Sequence, residues 1–328
     1  MKNLLTIVMY HYIRDLARSR YPAIKGLGLE RFRGQLDYIQ RHYNVVRMGQ
    51  VIAAAQGEQD ALPPHPLLLT FDDGYMDHFV NALPLLADRG MEGSFFPPAK
   101  AIAEGRVLDV NKVHFVLASV SDTGEIVDFL FQALDRARQD HDLPDNRELF
   151  DRLSRDGRYD DPNTLFVKRV LQRELPEALR AELTDTLFRR FVTEDEAAFS
   201  AELYMNRAQL RYMLQAGMFL GSHGYDHYWM NTLCPVEQRR EVDLSLDFLQ
   251  GLGVRRDRWV MCYPYGGYNA SLLEVLRERD CAVGLTTEVA LAHMERHDAL
   301  TLPRLDTNDL PKAGNAPVND WTRKALTS

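Results

Sequence analysis

Leu67-Leu68-Leu69-Thr70-Phe71 is an apolar run without alternation, set between Pro63, Pro64 and Pro66 on one side and two carboxylates on the other. A strand that is apolar on both faces has to be covered on both, as in a parallel sheet flanked by helices. Short β-rich runs also occur at residues 4–9, 43–46, 93–96, 218–221, 259–263 and 282–286. Between them, the spacing predicts helices over 29–41, 77–89, 207–215, 236–249 and 271–279. Such alternation predicts parallel β/α units, hence a closed barrel or a doubly wound sheet.

The stretch at about 105–205 breaks the pattern. It is rich in Asp, Glu, Arg and Leu, has helical spacing in 125–138, 165–173 and 178–191, and is divided by Pro144, Pro162 and Pro176. It reads as a mostly helical insertion within a single domain spanning 1–328. Residues 301–306 read as the last strand and the tail after Leu310 as irregular.

Composition narrows the classes of function. A chain of 328 residues with 45% apolar content buries a core without staples. A net charge of −8 gives no broad basic field for nucleic acid. Cys234, Cys262 and Cys281 include no C-x-x-C pair, which argues against a disulfide framework or a thiolate zinc site. The N-terminal apolar run is short and lacks a small-residue cleavage site, so it reads as a buried strand rather than a signal peptide. No stretch approaches the length of a transmembrane span. The expected location is cytoplasmic.

Three motifs carry chemistry, each at the end of an expected strand, where active-site side chains gather in β/α folds. Thr70-Phe71-Asp72-Asp73-Gly74 places two adjacent carboxylates that point in opposite directions and can do different jobs. Alone, this piece reads equally as a turn or a helix N-cap. In residues 222–227, His223 and His227 stand four apart, a metal-ligand spacing when the segment is helical or tightly looped. One carboxylate with two imidazoles leaves an open position, as catalytic zinc-type sites do. In residues 262–267, Pro264, Gly266 and Gly267 set an unusual backbone path that can aim an N–H at a developing oxyanion, or simply end a strand.

Taken in order, these motifs resemble those of polysaccharide deacetylases of the NodB-homology type, carbohydrate esterase family four. The resemblance covers about 4–105 and 206–306, leaving out the insertion. It implies a distorted (β/α) barrel and hydrolysis of an N-acetyl or other N-acyl group on an amino sugar. It also implies that Asp72 is the general base, that Asp73, His223 and His227 hold a divalent metal, expected to be zinc, and that the Tyr265 backbone N–H stabilises the oxyanion. The expected substrate is an amino-sugar precursor of a surface polysaccharide, nucleotide- or lipid-linked. A non-sugar amide, or a non-catalytic carbohydrate-binding or scaffolding role, are the alternatives.

The departures are specific. Gly224 stands where the family carries Ser or Thr, and Cys262 where it carries the Arg that orients the base. Arg304, in the last expected strand, is the candidate to supply that guanidinium from elsewhere. Leu291-Ala292-His293 matches the letters of the family's late Leu-x-His motif but reads as a loop. His11 ends the first expected strand near the site mouth, and His114 lies at the start of the insertion. Arg14, Arg18, Arg20 and Lys25 form a local basic loop, read as a solvated face or a phosphate contact.

Overall fold

The structure is a computed structural model describing residues 4–58, 60–157 and 160–327. It divides into two compact units. The first holds the chain up to Asp15, Gly26–Arg106 and everything from Ser200 on; the second holds Leu16–Lys25 and Val107–Phe199.

Seven strands of the first unit form the barrel: β1 (Leu4–Tyr10), β2 (Pro66–Asp72), β3 (Ser94–Phe96), β4 (Phe219–Leu220), β5 (Val260–Cys262), β6 (Val283–Leu285) and β7 (Leu305–Asp306). Parallel pairing runs β1–β2–β3–β4. A single bridge, Ser222 to Met261, carries it to β5, which pairs with β6. A second bridge, Leu285 to Leu302, leads to the segment before β7, and β7 pairs with β1. The ring therefore closes as a barrel, and its two one-bridge joints are where it is distorted.

Period-two alternation divides the strand residues into two apolar layers. Leu5, Ile7, Leu68, Phe96, Val260, Cys262, Val283 and Leu285 share one buried cluster. Val8, Tyr10, Leu67, Leu69, Phe71 and Phe95 pack instead with Phe32, Leu36, Leu86 and Leu249 of the flanking helices. Every residue of β2 is buried, as its unbroken apolar run demands. In this pleat, Thr70 and Asp72 continue the row of Leu68.

The strand expected over 301–306 forms only at Leu305–Asp306, and three further departures stand out. The helix expected over 77–89 is a π-helical turn, His78–Ala82, followed by the short helix Leu83–Ala87. Pro84 has no N–H to donate back along the helix, and Leu83 N–H bonds five residues back to His78. The tail contains a helix, Asp320–Leu326, started by the Asn319 side chain accepting from Thr322 N–H. Buried Thr322 takes the hydroxyls of Tyr38 and Tyr43, both at 2.9 Å. The third departure concerns residues 291–293: Ala292–His293 is a strand antiparallel to the start of β1, rather than loop.

The second unit is helical, with helices at Asp109–Ser119, Gly124–Ala137, Asn146–Leu153, Pro162–Arg169 and Glu177–Phe191. Its interior holds Lys112, 2% exposed, paired with Asp185 at 2.5 Å and Glu196 at 3.1 Å. The segment Leu16–Lys25 belongs here, with Tyr21 packed edge-on against Phe115 and Phe199. The expected basic loop is divided among protein partners: Arg14 pairs with Asp77, Lys25 with Asp160, and Arg20 lies over the Tyr21 ring. No helix among the described residues is long and apolar enough to cross a membrane.

The joint between β6 and the segment before β7 depends on Gly284. A Cβ there would meet the Leu300 carbonyl oxygen at 2.1 Å and the Tyr263 hydroxyl at 2.6 Å. Gly284→Ala is expected to lower stability in urea melts by about 2 kcal/mol, the range of an overpacked core. A loss below ~0.5 kcal/mol, the scale of a neutral surface change, would show that the joint yields freely.

Candidate active site

Because the strands run parallel, their C-terminal ends meet at one end of the barrel, and the sequence motifs sit there. Asp72 closes β2 and is 2% exposed. Arg304, fully buried, donates Nη1 to Asp72 Oδ1 at 2.9 Å and Nη2 to Oδ2 at 2.8 Å. The same guanidinium reaches Thr70 Oγ1 at 3.1 Å and donates Nε to the Thr286 carbonyl at 2.8 Å. Burial pushes the Asp72 carboxyl up, but Arg304, aided by His223, outweighs it and brings it down to about 2. Asp72 is thus an ionised carboxylate in one orientation. Cys262, where the family motif carries Arg, is buried, and burial pushes its thiol up, so it stays neutral.

Asp73 turns the other way because its backbone is left-handed, φ 74°, followed by Gly74 at φ 64°. A Cβ on Gly74 would meet Pro97 Cβ at 2.8 Å, so this exit needs glycine. Tyr75 donates its hydroxyl to Asp73 Oδ2 at 2.5 Å. Oδ1 has no hydrogen-bond partner among the described residues and lies 3.4 Å from His223 Nε2 and 3.3 Å from His227 Nε2.

Hydrogen bonding fixes what this triangle needs. His223 Nδ1 lies 2.7 Å from the Cys262 carbonyl, which only accepts, so Nδ1 carries the proton. In a neutral His223 the Nε2 lone pair then faces the Asp73 carboxylate, an electron-rich cluster that calls for positive charge at its centre. The ligand atoms of Asp73, His223 and His227 all lie within 4.8 Å of one another. One carboxylate and two imidazoles suit a divalent cation of the zinc type with positions left open. Burial pushes Asp73 up, yet the two imidazoles beside it hold its carboxyl well below the usual carboxylate range.

The third motif forms the turn Pro264–Gly266, with Tyr265 left-handed at φ 57°. Its ring stacks on Trp229, centroids 4.6 Å apart and planes within 3°, and meets His227 edge-on at 4.7 Å. Asp73, His227 (φ 60°) and Tyr265 are three of the seven left-handed non-glycine residues among those described. Each such backbone costs on the order of 1 kcal/mol and persists only where its surroundings enforce it.

The histidines outside the motifs separate clearly. His11 Nε2 is 3.9 Å from Asp72 Oδ2, with its side chain 42% exposed. His293 pairs with Leu4 at the start of β1, the barrel end away from Asp72. His114 belongs to a helix of the second unit. Sequence reasoning missed Tyr75 and Trp229. Tyr75 directly follows the first motif and offered a signal of position; Trp229 offered none beyond closeness to His227.

Comparison with known proteins agrees with this arrangement. The family model described as polysaccharide deacetylase matches residues 183–283, which hold both histidines and the Pro264 turn but not the carboxylates. The putative polysaccharide deacetylase YxkH of Bacillus subtilis (strain 168) is 27% identical over 93 residues, 28% of this chain and 33% of the relative, so the match spans a third of that protein's length. Among solved structures, the Streptococcus pyogenes deacetylase PplD shares the fold at a TM-score of 0.57 and 16% identity, over 95% of this chain and 94% of its own. A de-N-acetylase from Aggregatibacter actinomycetemcomitans does so at 0.54 and 13%, over 99% of this chain and 100% of its own. The chain therefore carries a stretch, residues 183–283, that matches the polysaccharide deacetylase family model, and its barrel is the fold of solved deacetylases.

Proposed function

We propose that this chain is a metal-dependent hydrolase that removes the N-acetyl group of an amino sugar, releasing acetate and a free amine. The observation that carries the reading is the convergence of Asp73 Oδ1 and the two imidazole Nε2 atoms beside Asp72, a carboxylate held ionised and in one orientation. That the fold is shared with a de-N-acetylase supports the choice of an N-acyl bond. The stacked Trp229 and Tyr265 rings beside His227 offer the aromatic lining usual in sites for small organic ligands.

Asp73, His223 and His227 would hold a divalent cation, with zinc as the expected ion. When bound, it supplies a Lewis acid that polarises the acyl carbonyl and acidifies water, which lets a carboxylate as weakly basic as Asp72 serve as the base. Asp72 accepts the proton of the attacking water while Arg304 keeps its oxygens in place. The Tyr265 N–H, aimed by its left-handed turn, stabilises the developing oxyanion. As the C–N bond breaks, His11 gives the departing amine its proton, a role supported by its 3.9 Å approach to Asp72 and its partial exposure. A nucleotide- or lipid-linked sugar precursor in the cytoplasm is part of the same proposal, tested by substrate profiling and cell fractionation.

The purified chain is expected to carry about one divalent ion, since one carboxylate and two imidazoles make a single site. His223→Ala and His227→Ala should lose that ion together with acetate release from N-acetylated sugars. Asp72→Asn should keep it and lose turnover. Full metal content in both histidine variants, measured by elemental analysis, would overturn the ligand assignment. Acetate release from simple N-acetyl amides but not from sugars would point to a non-sugar substrate.

Arg304 acts through Asp72, so its variants should separate orientation from metal binding. Arg304→Met is expected to lower the turnover number at least ~10-fold with metal content unchanged, because misplacing a base by even ~1 Å costs on the order of a hundredfold. Arg304→Lys should restore part of it, lacking the planar fork. Wild-type turnover in Arg304→Met would make this arginine purely structural.

A further inference from the structure

His223 and His227 are four residues apart, yet the segment joining them is neither helix nor strand. Its backbone polar groups must therefore find partners elsewhere, since buried N–H and C=O groups are costly to leave unpaired. The carbonyls of Gly224 and Tyr225 accept from the N–H groups of Ala99, at 3.2 Å, and Lys100, at 2.9 Å. The N–H groups of Tyr225 and Asp226 both donate to one carboxylate oxygen, Glu241 Oε2, at 3.1 and 2.8 Å.

Glu241 lies on the helix Pro235–Leu252 and is 6% exposed. One turn further, Ser245 bonds the hydroxyl of Ser222 at 2.7 Å, and Ser222 Oγ accepts from Gly224 N–H at 3.2 Å. Lys100 Nζ donates to the Asp226 carboxylate at 2.6 Å. The loop is thus gripped on its carbonyls from one side and on its amides from the other. Gly224, at φ 73°, carries no side chain with which the loop could brace itself.

We infer that Glu241 is a positioning residue for the metal site: its carboxylate, on a helix that contributes no ligand, sets the spacing of His223 and His227 by holding the amides of Tyr225 and Asp226. The inference rests on the metal reading proposed above and deepens it. Asp226 is bonded directly to His227, whose left-handed backbone at φ 60° has no intrinsic preference for that shape. Without the carboxylate, two part-buried donors lose their acceptor, and the loop must move to hydrate them. His227 would move with it, away from Asp73 Oδ1. Ser245, four residues along the same helix face, holds the other end of the loop through Ser222.

The test is the dissociation constant of zinc, measured by chelator competition in wild type, Glu241→Ala, Glu241→Gln and Ser245→Ala. Thermal melts of the metal-free proteins and amide exchange at Tyr225 and Asp226 accompany it. Glu241→Ala should weaken zinc by about 10–100-fold, the range of losses from outer-shell partners of metal ligands, with faster exchange at both amides. Glu241→Gln keeps an acceptor oxygen in place and should stay within ~3-fold of wild type, because an amide carbonyl still accepts a hydrogen bond. Ser245→Ala should fall between them.

If Glu241→Ala does not fold, Glu241→Asp replaces it. The carboxylate is then one methylene short of the amides, and an intermediate loss is expected. Wild-type affinity in Glu241→Ala, or in Glu241→Asp where it stands in, would overturn the inference even with a lowered melting temperature, because Glu241 would then stabilise the fold without setting the ligands. Failure of the metal reading itself would look different: the wild-type chain would bind no divalent cation at all.

Discussion

A guanidinium with no exposed surface ties together the end of the barrel where the candidate site lies. Arg304 reaches Asp72 and Thr70 on β2 and the carbonyl of Thr286 just past β6, while its own N–H donates to the Glu288 carbonyl. It spans the joint that β-pairing closes with a single bridge. Burying such a pair costs several kcal/mol per ion in lost hydration, and breaking one typically destabilises by about 3–5 kcal/mol because the partner is left charged. Here the fork is bidentate and two of the three remaining donors are used, by the Thr286 carbonyl and Thr70 Oγ1, which favours a buried pair. The same contact orients Asp72 and keeps it ionised, so one interaction serves both fold and site.

Strain is the second constraint. Three residues of the site adopt backbone that only glycine takes easily, and each is held from outside. Asp73 is held by the Tyr75 hydroxyl and the close approach of Pro97 to Gly74, His227 by the gripped loop before it, and Tyr265 by the Trp229 stack. The left-handed turns let neighbouring residues send side chains in directions an extended strand forbids. That is how Asp72 meets Arg304 while Asp73, its neighbour, faces the two imidazoles.

The parallel β/α arrangement and the motifs were legible before any coordinates, while the choice of a barrel over a doubly wound sheet rested on the family resemblance. Unbroken apolar strands separated by helical spacing can be satisfied only by a parallel β/α arrangement, and residues 207–215 form the expected helix. Less legible were features whose cause lies far away in the chain. The helix Asp320–Leu326 depends on Thr322 meeting Tyr38 and Tyr43, and Leu16–Lys25 joins the helical unit through Tyr21. Neither contact leaves a local pattern. The letters of Leu291-Ala292-His293 matched a catalytic motif, yet the strand they form sits at the barrel's opposite end, because register rather than composition decides which end a residue reaches.

The sequence by itself determined the chemical inventory, an ordered set of carboxylates and imidazoles at strand ends, because strand periodicity and short motif spacings are local properties. It could raise Arg304 only as a candidate for the place left empty at Cys262. Barrel closure decided that placement, bringing β7 beside β1 and setting a guanidinium 232 residues away in sequence against Asp72. Glu241 lay wholly outside local reasoning. It acts through the amides of a loop 15 and 16 residues earlier, and only packing between helix and loop brings that carboxylate within hydrogen-bonding distance.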